Sequence, residues 1–320
     1  MQCGSIVLAI CVATIGAAQM QSAWAVDNKI AAGQQPQSQE STSKPVQDQP
    51  KKCDSGDGAA RGEDYAILLD PGADMQKRQQ ILADLEAKAN TGDVDAQYYV
   101  GSLYRAGRIL PKALVDRDLN KASIYLGHAA VGGNPEAMRK LAEIELVEKH
   151  PVEAMVWAQL YVHYEIHAMN AGSKLTGKGP SADLLARAFD MFGSRDMDAV
   201  KSDVMDFIQQ HDAAILAARH EHENSAACEN FALVSPGDIS MPDEGAVKTA
   251  LFGYAKPGTA EFLLVFGPDG AVTKALALDA IPDPDLLRTM RPIAERMRLH
   301  PSELPARYGL LPLAFTYGET

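Results

Sequence analysis

The amino-acid sequence predicts a mainly α protein: a short α-solenoid of helix-turn-helix repeats followed by a small α+β domain of order β–β–α–β. Three observations carry that expectation. Between Gly92 and Asn134, two amphipathic helical patterns each close on glycine. The pattern begins again 41 residues further on. Beyond Val234, Ser-Pro-Gly-Asp, Met-Pro-Asp-Glu-Gly and Lys-Pro-Gly-Thr punctuate the chain too closely for helices to persist.

In the first helical pattern Ala96, Tyr99, Val100, Leu103 and Tyr104 recur at i, i+3, i+4, i+7 and i+8, one apolar stripe along a helix. In the second, Leu119, Ala122, Leu126, Ala129 and Ala130 do the same. Gly107 ends the first and Gly132-Gly133 end the second, residues that tolerate the left-handed conformation of a helix end. Gly92-Asp93 recurs as Gly133-Asn134, Ala96 falls on Ala137, and Leu85, Ala89 and Gly92 echo Leu126, Ala130 and Gly133. One helix pair cannot bury its own face, so a repeat of this size implies stacked pairs. Further helices are expected over 152–169, 182–192 and 196–221, from the apolar spacing in each.

The residues Ala96, Gly101, Leu103-Tyr104, Gly107, Asp118, Lys121-Ala122, Tyr125, Ala129-Ala130 and Gly132 resemble the Sel-one-like repeat, a relative of the tetratricopeptide repeat. The resemblance covers one repeat well and its neighbours in part. The loop from Arg108 to Arg117 is longer than the family's. The resemblance implies an adaptor that holds a protein or peptide partner, with the first helix of each pair lining the concave side.

Four segments divide the chain. Ile6 to Ala18 is an apolar run too short to span a bilayer comfortably, and Ala23-Trp24-Ala25 follows it as a small-x-small cleavage pattern, so residues 1–25 read as a signal peptide cleaved after Ala25. The mature protein is then expected in the periplasm or outside the cell, with no stable membrane span. Residues 26–62 are rich in Gln, Ser, Pro, Asp and Gly and read as a disordered linker, because such a segment buries too little apolar surface to offset its conformational entropy. Residues 63–231 form the helical-repeat domain and 232–320 the small α+β domain. Cleavage leaves Cys53 and Cys228, an even count that invites one disulfide in an oxidising compartment, with two unpaired thiols as the alternative.

In the last domain Glu261 to Phe266 reads as a strand, Gly267-Pro268-Asp269-Gly270 as a tight turn and Ala271 to Leu278 as a second strand. Asp283-Pro284-Asp285 opens a helix that carries Leu286, Leu287, Met290, Ile293, Ala294 and Met297, and Leu310 to Tyr317 closes the sheet. This order, with Gly-Pro-Asp-Gly-Ala-Val-Thr-Lys-Ala between strands and Arg-Met-Arg-Leu-His-Pro after the helix, resembles the TonB carboxy-terminal domain. The resemblance implies its fold. No lysine-proline spacer precedes the domain, so the energy-coupling role is not carried over.

Net charge is −12, which argues against a nucleic-acid partner. No catalytic set stands out and no cofactor is expected. Gly172 to Gly179 nearly matches a phosphate-cradling loop, but Gly179 occupies the position that needs a hydroxyl, and a helix rather than a strand precedes it. His163 and His167 flank Glu165 in the order H-x-E-x-H, which lacks the third ligand of a metal centre. His220 and His222 do not share a helix face. Asp279, Asp283 and Asp285 sit near a loop, where acids usually cap helices. Partner-binding residues are therefore sought on the inner helices, off the apolar stripe: Gln97, Tyr98 and Arg105 on the first, Arg139 and Glu143 on the next. Tyr98, a rigid aromatic with a polar tip, is the expected anchor.

The sequence thus points to a non-enzymatic envelope scaffold that binds a protein or peptide through a helical groove. The alternative is a TonB-related component that docks on an outer-membrane protein by strand addition at its carboxy-terminal sheet edge.

Overall fold

Local signals in the sequence start and stop the helices of the computed structural model, which describes residues 55–168, 180–226, 239–242 and 258–315. The helices are α1 (Ser55–Leu69), α2 (Met75–Asn90), α3 (Val94–Ala106), α4 (Leu119–Val131), α5 (Pro135–Glu148), α6 (Pro151–Ala168), α7 (Pro180–Phe192) and α8 (Met197–Ala226). The strands β1 (Gly258–Phe266) and β2 (Val272–Ile281), helix α9 (Asp285–Ala294) and strand β3 (Arg307–Phe315) follow. The β–β–α–β order is the expected one. Helix α1 starts at Ser55, inside the stretch read as linker, because Tyr65, Leu68 and Leu69 on its last two turns are buried against the rest of the chain.

The repeat is visible in the turns. Asp93 and Asn134 cap α3 and α5, their side chains accepting from the Ala96 and Ala137 amides at 2.9 and 3.1 Å. Gly92 and Gly133 precede them with φ of 100° and 97°, a conformation that favours glycine. The closing hydrogen bonds repeat as well. Asp93 N–H donates to Lys88 O at 3.2 Å and Asn134 N–H to Ala129 O at 3.0 Å, residues separated by the same 41-residue offset.

Consecutive helices pack on one another along the chain, α3 on α4 and α5 on α6 most extensively. Gly101 permits the α3–α4 approach: a Cβ built there lies 2.7 Å from Leu126 Cγ. Gly101→Ala is therefore expected to destabilise the chain by about 1–3 kcal/mol through overpacking. Gly127→Ala, on the neighbouring helix with nothing within 4 Å of the added carbon, is expected to stabilise by about 0.5–1 kcal/mol. Urea denaturation of the two variants checks the pair.

The sheet is antiparallel with order β2–β1–β3. Its central strand β1 is buried along nearly its whole length. Helix α9 covers one face, placing Arg291 over the Phe262 ring at 5.8 Å. The other face meets the helical region: α1, α3 and α7 all contact strands. The described residues from Ser55 to Phe315 accordingly belong to one compact unit. No helix among the described residues is long and apolar enough to cross a membrane. Cys53, Cys228, the segment 1–25 and the loop Gly172–Gly179 lie outside the described residues.

Candidate functional site

The strongest concentration of polar chemistry lies where the sheet meets α3 and α5. Glu261 on β1 and Asp279 on β2 are directly opposite each other across the strand pair. They are 2% and 1% exposed. Like charges at such a position repel, and both are removed from water, so the arrangement stands only if cations surround it.

Those cations come from the helices. Arg105, in the last turn of α3, reaches Asp279 with two donors, Nε at 2.7 Å from Oδ2 and Nη2 on Oδ1, and Nη2 also donates to the Ala280 carbonyl at 2.7 Å. Arg139 and Lys140 are consecutive on α5. Arg139 Nη2 lies 2.8 Å from Glu261 Oε1, and its Nε donates to Glu136 at 2.7 Å. Lys140, with no solvent exposure, spends its three protons on Glu261 Oε2 at 2.7 Å, Ser102 Oγ at 2.6 Å and Asp279 Oδ2 at 3.2 Å. Its ammonium also sits 4.2 Å from the centroid of the Tyr98 ring. The Tyr98 hydroxyl donates to Glu261 at 2.8 Å, and Ser102 Oγ donates to Tyr98 O at 2.7 Å. With Glu136, three cations face three anions, and every charged group in the set has an ionic partner.

The electrostatics follow from that packing. Burial opposes the charged form of Asp279, yet Arg105 and Lys140 hold its pKa below the usual carboxylate range. Burial pushes the Tyr98 hydroxyl well above its ordinary value, and the Glu261 charge adds to the effect. Burial also disfavours the Arg139 and Arg105 cations, but their carboxylate partners more than offset it and raise both. Because the folded pKa of Asp279 is depressed, its contribution to stability is fully present above the unfolded value of about 3.9 and is lost as pH falls through the folded value. The thermal midpoint is expected to fall steeply below about pH 4, and Asp279→Asn is expected to lower the midpoint at pH 7 while flattening that acid limb. Calorimetric scans across pH 3–7 check both.

The residues expected to bind a partner are placed differently from the expectation. Gln97, Tyr98, Arg105, Arg139 and Glu143 are all buried. Their side chains face the protein's own sheet or neighbouring helices. Gln97 donates to Ala89 O at 3.0 Å, and Glu143 accepts from Arg187 on α7 at 2.9 Å. The aromatics of the repeat serve packing: Tyr65 stacks on Tyr99 at 3.9 Å, and Tyr104 on Tyr125 at 6.2 Å. Asp279 is not a helix cap; it is a strand residue whose carboxylate faces α3 and α5.

Other singled-out groups carry less. Glu165 is engaged by the Ser181 hydroxyl across the α6–α7 contact. The His163 ring meets Tyr164 edge-on at 4.9 Å. Glu145, Glu148 and His150 gather at the end of α5, where the exposed His150 ring has Nδ1 2.9 Å from the half-buried Glu145 carboxylate. Sequence reasoning missed Glu261 and Lys140 and took Asp279 for a cap. The available signal was an acid inside each apolar strand run, in EFLLVF and in ALALDAI.

Comparison with known proteins returned no match to any family model, curated protein or solved structure.

Proposed function

We propose that this chain is a non-enzymatic cell-envelope scaffold or adaptor for a protein or peptide partner, built as a short α-solenoid whose groove is filled in cis by its own carboxy-terminal module. The observation that supports this reading is the occupied inner face. Tyr98, Arg105, Arg139 and Lys140 hold two strand carboxylates with the geometry of a binding device already in use. An enzyme needs its reacting groups open to substrate, and the one dense polar cluster among the described residues is sealed. Partner contacts then fall on outward surfaces, where large apolar side chains such as Ile124, Phe189 and Met205 stand exposed. The amino-terminal apolar run and Ala23-Trp24-Ala25 support export.

Strand addition at the sheet edge is the less supported reading. On β2, Arg291 and Arg105 take the carbonyls of Ala275 and Ala280, each at 2.7 Å, and β3 carries Pro312, which lacks a strand donor.

Photo-crosslinking of the full chain in intact cells tests the adaptor reading. A photoreactive residue at position 124, 189 or 205 is expected to give an adduct with a second protein, and one at position 98 an internal link to the 258–281 hairpin. No adduct at any outward position, with nothing co-purifying with the full chain, would overturn it. Export is checked separately: amino-terminal sequencing of the mature protein is expected to begin at Val26.

A further inference from the structure

Beside the buried ionic cluster, but separate from it, lies a small apolar pocket between α1, the long loop after α3 and the edge of β2. Leu68, Leu69, Leu103, Leu114, Val115 and Ala277 supply its apolar walls. Its space is about 50 Å³. One water needs roughly 10–15 Å³, so three or four heavy atoms fit, the size of an isopropyl or isobutyl group.

Two guanidiniums also line this pocket, those of Arg78 and Arg291. Arg78 is only 4% exposed, and it donates to carbonyls: Nε to Leu68 O at 2.9 Å and Nη1 to Lys112 O at 3.0 Å. Among the described residues no carboxylate pairs with it. The nearby Asp70 is taken by Lys274 at 2.5 Å. Arg291 likewise holds a carbonyl, that of Ala275 at 2.7 Å, and no carboxylate of the described residues pairs with it. Burial lowers the pKa of the Arg78 guanidinium, and the Asp70 charge, which pairs with Lys274 and not with Arg78, offsets that only in part. Arg291 also borders an adjoining, more polar hollow with Lys274 and Glu295, which gives the pocket a wet approach.

We propose that this pocket binds a monocarboxylate bearing a short branched apolar group, with that group among Leu68, Leu103, Leu114 and Val115 beside Arg78 and the carboxylate in the adjoining hollow, against Arg291. The planar fork of arginine suits a carboxylate, and the apolar walls suit a side chain of leucine or valine size. The carboxy-terminal residue of a peptide and a free short-chain acid share this chemistry. The proposal stands on the pocket and is independent of the adaptor reading.

Calorimetric titration of the full chain with N-acetyl-leucine, N-acetyl-leucine amide and 4-methylpentanoate tests it. The acids are expected to bind and the neutral amide to bind at least about tenfold more weakly, since it lacks the charge. Binding of N-acetyl-leucine alone assigns the site to peptide termini, whereas binding of 4-methylpentanoate assigns it to free acids. Arg291→Gln is expected to weaken binding about tenfold, and Val115→Phe, which fills the pocket, to abolish it. Val115→Phe leaves both guanidiniums in place, so it keeps the test valid if Arg291→Gln shifts the thermal midpoint. Equal affinity for acid and amide, binding that survives both variants, or no heat with any of the three ligands would overturn the proposal.

Discussion

Lys140→Met is expected to lower the stability of the chain by about 3–5 kcal/mol, the range for breaking a buried charge network by removing one partner. Lys140 is fully buried and touches both Glu261 and Asp279. Without it, two carboxylates stand opposite each other in a dry interface with one positive charge fewer, and Ser102 Oγ loses its donor. Methionine fills most of the vacated volume, so the loss reports the charge rather than a cavity. Lys77→Met, at an exposed position on α2, is expected to stay within about ±0.5 kcal/mol. Guanidinium denaturation at pH 7 compares the two. A Lys140 variant as stable as its surface control would mean that the carboxylates are not held as the geometry implies.

Tyr98→Ala is expected to be similarly severe, about 3–5 kcal/mol, as for other large aromatic truncations in a core. Tyr98 is 3% exposed; its ring lies under the Lys140 ammonium and edge-on to Tyr99, with centroids 6.3 Å apart. Truncation therefore opens a cavity and removes a donor from Glu261 in one step. Tyr98→Phe separates the two effects: it keeps the ring and is expected to cost about 1.5–3 kcal/mol, the range for a hydrogen bond to a charged group. An interface anchor on an open groove would behave in the opposite way, leaving stability unchanged when truncated. Equilibrium unfolding of both variants therefore distinguishes a core tyrosine from a binding one.

The interface between helices and sheet draws its specificity from geometry as much as from energy. Apolar residues alone would let the sheet slide along α3 and α5. Arg105 engages Asp279 with two donors, and Lys140 bridges both strands, so the register between α3, α5 and the hairpin is defined. A bulge at Glu261–Phe262 in the β1–β2 pairing adjoins this point. It leaves Leu278 without a cross-strand partner while Asp279 keeps its place opposite Glu261.

The sequence alone determined the helix pairs, their caps and their turns, because those depend on neighbours a few residues apart. Asp93, Asn134, Gly92 and Gly133 act through bonds spanning three to five positions, and the strands and α9 follow from equally local periodicity. The side of α3 and α5 that carries Tyr98, Arg105 and Arg139 was also legible from helical spacing. What covers that side was not. A polar residue off an apolar stripe reads as solvent-exposed, since burying it is unfavourable unless a partner waits. For Tyr98 that partner is 163 residues away, for Lys140 121, and for Arg105 174. No local pattern encodes pairing over such separations. Only the folded chain, by bringing Glu261 and Asp279 onto three cations, decided that these side chains are buried against the sheet.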